Sequence, residues 1–220
     1  MEHLFKTVII LLASGTLLCH TRGAHAQQSF ATDALPVITS TRVAVGEGTY
    51  FGPLHVTIGG KERKIADEAI AAWIIQKGQK VVYSGRDGAG GYENEGQSLR
   101  VYDARTGQHR KIMAEYFEVN KVTEVTTSGN RIALLVEMSD SGLGASSLAV
   151  LDPARGEVFF RHGVKIISRQ GDIIVIGYYK EDDWGKFNEN ENAKVTPYKT
   201  ERHNLNTILR GRVIFNKPAR

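Results

Sequence analysis

Cysteine is nearly missing from this sequence: Cys19 is the only one in 220 residues. A lone thiol closes no intrachain disulfide. The chain must therefore be held by a packed core, with a bound ion as the one further aid. Histidine pairs are missing too. His55, His109, His162 and His203 show no i, i+2 or i, i+4 spacing of the kind that marks a metal site. There is no G-x-S-x-G elbow for a nucleophilic serine. No basic run concentrates charge as nucleic-acid binders do. No segment after the first 26 residues is long and apolar enough to cross a membrane as a helix.

What is present begins with a leader. Lys6 precedes an apolar stretch of eleven residues, 8–18, and Ala24-His25-Ala26 follows. This charged, apolar, small-residue order is that of a cleavable secretory signal peptide over residues 1–26. Eleven apolar residues fall short of the roughly 20 needed to span a bilayer. A lipid anchor on Cys19 is disfavoured, because Leu18 stands where a small residue is required. The expected product starts near Gln27, contains no cysteine, and is periplasmic or secreted. Loss of Glu2, Lys6 and Arg22 takes the formal charge from +4 to about +3. Residues 27–42 read as an N-terminal linker and 43–216 as one domain.

Within that domain the chain repeats. Residues 98–107 (SLRVYDARTG) and 147–156 (SLAVLDPARG) each run from a strand-like start into Asp-x-x-x-Gly, 49 residues apart. An aspartate that accepts hydrogen bonds from turn amides, with glycine at the exit, makes a tight turn between strands. Gly78, Gly129 and Gly171 each lead into an apolar, β-branched run that reads as a buried strand. A weaker copy, residues 54–60 (LHVTIGG), lacks the aspartate. Residues 67–75 suit a short helix or a strand. Strand is favoured, because the matching stretch 119–127 is rich in Val and Thr. Four strands in 40–50 residues is the signature of a β-propeller blade.

The segment 98–108 resembles the strand, aspartate, x, x, threonine, glycine stretch of PQQ-like and related bacterial β-propeller repeats. The resemblance spans about 54–179 and implies an all-β propeller of about four blades of four antiparallel strands. The ring either closes on itself or needs a partner, and a β-sandwich is the rival architecture. No tryptophan follows the glycine, so bound quinone is not implied.

An acidic loop follows the second strand of each unit, placing Asp87, Asp140 and Asp182 at equivalent positions. Together they form a candidate Ca²⁺ site, since that ion takes six to eight oxygens. Turn chemistry explains the same residues without a ligand. The glycine-rich loop 87–96 carries Tyr92, which can close over a ligand. It lacks the lysine and the serine or threonine of a phosphate-binding loop. The polar stretch 180–199 includes Asp182, Asp183, Trp184, Phe187 and Tyr198, and reads as an exposed excursion. Its aromatics either stack on a sugar or cover the end of the core. No catalytic residue and no cofactor are named. The leading reading is an exported protein that binds a protein or carbohydrate. The alternatives are a polysaccharide hydrolase using a carboxylate pair and a structural subunit that completes a larger assembly.

Overall fold

The strand order explains why one repeat appears several times in the sequence. In the computed structural model, residues 35–46, 49–86, 97–115, 118–139, 145–190 and 193–213 are described. The protein is all-β and propeller-like, built from antiparallel sheets. The first unit comprises β1 (Ile38–Val43), β2 (Gly52–Ile58) and the start of β3 (Lys61–Ile75). β3 serves two partners. Its residues 61–69 pair with β2, and its residues 69–75 pair with β4 (Lys80–Arg86). The register shifts between Ala69 and Ala71, where one partnership gives way to the other. The second unit is thus the end of β3, β4, β5 (Gln97–Asp103) and β6 (His109–Glu115).

The third unit contains β7 (Glu118–Thr126), β8 (Ile132–Ser139), β9 (Ser146–Asp152) and β10 (Gly156–His162). The fourth contains β11 (Val164–Gln170), β12 (Ile173–Tyr178) and β13 (Lys199–Asn204). Among the described residues the four units hold three, four, four and three strands. The compact unit begins at Leu35, and β1 starts within the stretch 27–42 that reads as a linker and ends at Val43. The β1 segment, ITSTRV, is short and largely polar, so its pattern gives little sign of a strand. Residues 67–75 are strand, as their match to 119–127 implied.

The repeated turn works as its chemistry requires. Asp103 Oδ1 accepts from the amides of Arg105 (2.9 Å) and Thr106 (3.1 Å), and Gly107 closes the turn at φ 69°. Asp152 Oδ1 accepts from the amide of Ala154 (2.8 Å), with Gly156 at φ 111°. The turn between β3 and β4 is made differently. Gln76, Lys77 and Gly78 all take positive φ, and Glu124 of β7 accepts the Gln76 amide at 2.6 Å. That bond ties the second unit to the third.

Packing is sequential. Leu54, Val56, Val81, Tyr83 and Tyr102 form a buried cluster between the first two units. Val82, Leu99, Val101, Leu134, Val136, Met138 and Leu151 join the second and third. Ala133, Leu135, Leu148, Val150, Ile174 and Ile176 join the third and fourth. Along β8 alternate residues serve opposite interfaces, because successive side chains of a strand point to opposite faces. This burial on both faces is why β8 reads as a continuous apolar run. Among the described residues, none of these clusters joins the first unit to the last.

The first unit ends the series with a polar face. Ser40 Oγ donates to Thr57 Oγ1 (2.8 Å), and Arg42 pairs with Glu62 (2.7 Å). A solvated outer face is what a terminal repeat requires. At the other end, α2 (Leu205–Ile208) buries Leu205, and Leu209 follows it into the core. Asn204 Oδ1 caps this turn by accepting from the Asn206 amide at 2.9 Å. Arg155 then clamps the exit, donating to the carbonyls of Leu209 and Gly211, each at 2.7 Å.

Candidate functional site

The last unit carries an insertion between its second and third strands. Within it, α1 (Glu181–Glu189) forms where the sequence suggested an exposed excursion. Glu181, Asp182 and Asp183 fill its first turn, where the helix dipole favours negative charge. Asp183 fastens the start: its Oδ2 accepts the Lys180 amide at 3.2 Å and its Oδ1 accepts from Lys186 Nζ at 3.0 Å. The Lys186 hydrogen bond is the main reason its carboxyl lies below the ordinary aspartate value. Asp182 is exposed in the same turn. Trp184 faces inward and is 3% exposed. Its ring lies 5.6 Å from Tyr179 and 5.5 Å from Phe187, centre to centre.

Tyr179 and Trp184 form one wall of a cleft of about 350 Å³, lined also by His162, Tyr178, Glu181 and Tyr198. His162 ends β10, Tyr178 ends β12, and Tyr198 immediately precedes β13. The Tyr198 amide donates to the Tyr178 carbonyl (3.0 Å), which holds the two rings 6.3 Å apart. Tyr198 is 61% exposed, so its ring is presented to solvent at the rim. Ser147 Oγ lies 2.9 Å from His162 Nδ1 and fixes that ring.

Behind Tyr178 stands a charged group. Glu201 contacts Lys199 Nζ (2.7 Å), accepts from Tyr178 OH (2.8 Å), and lies 3.0 Å from His203 Nε2. The hydrogen bond from Lys199, then that from Tyr178, brings the Glu201 carboxyl down to about 2. Burial first, then the hydrogen bond to Glu201, raises the Tyr178 phenol. Burial likewise raises Tyr179, with Asp183 adding to it. Both phenols are therefore neutral hydrogen-bond donors near pH 7.

A pH effect follows from Glu201. Its folded-state value lies below the ordinary 4.5, so its stabilising contribution is complete above about 4.5. It is lost as pH falls from there toward 2. Melting scans across that window should show the wild type losing more stability on acidification than Glu201→Gln. Parallel curves would mean that the contacts around Glu201 contribute nothing.

Asp87, Tyr92 and Asp140 lie outside the described residues. In sequence they follow β4 and β8, the second strands of their units, and α1 follows β12, the second strand of its own. Among the described residues, no group of three or more His, Cys, Asp or Glu side chains is placed to hold a metal ion. The density of aromatics between 178 and 198 is the sequence signal for this cleft, and it does not mark Tyr178, Tyr179 or His162 as its lining.

Comparison with known proteins adds one likeness. No family model matches the chain, and no curated protein matches it. Among solved structures it is similar to the β-propeller domain of the Trilobed protease from Pyrococcus furiosus, described as having an open velcro topology. The identity is 12% and the TM-score 0.45, over 77% of this chain and 57% of that one. The strand order and the buried clusters define the propeller-like fold.

Proposed function

We propose that this is an exported binding protein that takes a carbohydrate in the aromatic cleft beside α1. The observation that carries the reading is the lining itself. Three tyrosines and a tryptophan converge there, with Tyr198 exposed at the rim and His162 and Glu181 beside them. An aromatic body with a polar tip offers a sugar a stacking face for its C–H groups and a partner for its hydroxyls. Small-molecule sites commonly combine such apolar walls with a few placed polar groups. The leader at residues 1–26 supports export.

Thermal unfolding with a panel of mono- and oligosaccharides tests this. A ligand at about 100 times its Kd should add roughly 2.7 kcal/mol and raise the midpoint by roughly 5–10 °C. Tyr198→Ala should leave the unliganded midpoint nearly unchanged and abolish the shift. A flat panel, or a shift that survives Tyr198→Ala, would overturn the carbohydrate reading. The mass of the exported product should correspond to a start near Gln27.

A further inference from the structure

The two ends of the series are finished differently. The first unit turns Ser40, Arg42, Thr57 and Glu62 outward, a polar face. The fourth unit does not. Ile174 and Ile176 of β12 are fully buried against the third unit, so alternation sends Ile173, Val175 and Gly177 to the opposite face. Register extends that face onto the neighbouring strands. Ser168 and Arg202 stand opposite Val175, and Lys165 and Thr200 opposite Gly177. Ile167 sits in the register shift between Ile166 and Ser168, and its side chain lies over Gly177, where a Cβ would meet Ile167 Cδ1 at 2.7 Å. Ile167 is 46% exposed, and Ile173 and Val175 are half-buried. Three branched apolar side chains thus form the middle of an outward face, where a terminal repeat ordinarily ends polar. Among the described residues no further sheet covers it.

The charge on this face has one sign. Lys165 and Arg202 belong to it, and β11, β12 and β13 place no carboxylate on it. Arg202 is exposed and makes no ion pair or hydrogen bond among the described residues. The Lys165 ammonium lies 4.0 Å from the centre of the Phe187 ring and has no carboxylate partner there.

We propose that this face docks an acidic amphipathic helix of a partner protein. Three strands set about 4.8 Å apart span about 10 Å. A helix with its side chains is about 10–12 Å across, so one helix covers the face. Apolar residues on one side of that helix sit on Ile167, Ile173 and Val175. Glutamates flanking them meet Arg202 and Lys165. A second copy of the chain fits poorly. Face against face, Arg202 and Lys165 of each copy meet only cations, and the outward face of the first unit is polar. An anionic membrane fits poorly too. Lipid-binding surfaces gather about four to eight Lys or Arg, and the strands put only Lys165 and Arg202 on this face.

Fluorescence anisotropy of the full chain with labelled synthetic helices tests the assignment. A helix with a leucine stripe flanked by glutamates should bind at least tenfold more tightly than one with lysines for the glutamates or serines for the leucines. Arg202→Glu should weaken binding of the glutamate helix by at least tenfold and strengthen binding of the lysine helix, a reversal that misfolding does not produce. Ile167→Ser, at an exposed position, should weaken the glutamate helix by a similar factor. Tyr198→Ala should leave helix binding unchanged, which separates this face from the aromatic cleft. The proposal is overturned if no helix binds, if the lysine helix binds equally well, or if Arg202→Glu and Ile167→Ser bind like the wild type. Self-association that Ile167→Ser abolishes would overturn it in favour of a second copy. Binding to phosphatidylserine vesicles that Arg202→Glu abolishes would overturn it in favour of a membrane.

Discussion

Leu134→Ala should cost about 3 kcal/mol and lower the unfolding midpoint by roughly 6–12 °C. Leu134 is fully buried in β8, and its side chain belongs to the cluster that joins the second and third units. Its neighbours there, Val82, Leu99, Val136 and Leu151, come from four strands of those two units. Strands fixed in a ladder on both sides cannot collapse into the space left by the truncation, so the cavity persists and its cost adds to the lost transfer free energy. Ile74 on β3 is a matched control, since it is 40% exposed. Ile74→Ala should change stability by only about 0.5 kcal/mol. Equal losses at the two positions would show that the sheets do not pack through the Leu134 cluster.

Trp184→Ala should have an effect of similar size on stability, and a different kind of effect besides. Removing a buried indole costs about 3 kcal/mol or more, and this one holds α1 against Tyr179. Without it the wall of the cleft is lost, so stability and sugar affinity should fall together, the latter by more than tenfold. Tyr198→Ala should lower affinity alone. If Trp184→Ala bound sugar as the wild type does, α1 would play no part in the site.

The repeat was legible in the sequence because its chemistry is local. An aspartate two or three residues before the amides it accepts, with glycine four residues on, needs no long-range information. The Asp103 and Asp152 turns therefore stand where the sequence placed them. The strand runs of β4, β8 and β12 were legible because burial on both faces leaves few polar residues in them. Two things were not legible. The double partnership of β3 depends on a register shift at Ala69–Ala71 that no residue type announces. β1 depends on pairing with β2, since its own residues alternate only weakly.

The site was partly legible for the same reason. Asp182 and Asp183 stand in a run of acids that also begins a helix, and capping competes with ligand binding for such residues. The pattern could not say that Trp184 turns inward while Tyr198 faces solvent. That division is set by the docking of α1 and by the backbone bond between Tyr198 and Tyr178, which are twenty residues apart.

The most direct measurement is a two-dimensional NMR titration that follows the indole N–H signals. The chain has two tryptophans, Trp73 and Trp184. Trp73 packs against the cluster between the second and third units, whereas Trp184 lines the aromatic cleft. A bound sugar should shift the Trp184 signal in a saturable way and leave Trp73 in place. A sugar that shifts Trp73 alone, or a panel that moves neither signal, would contradict the proposed site.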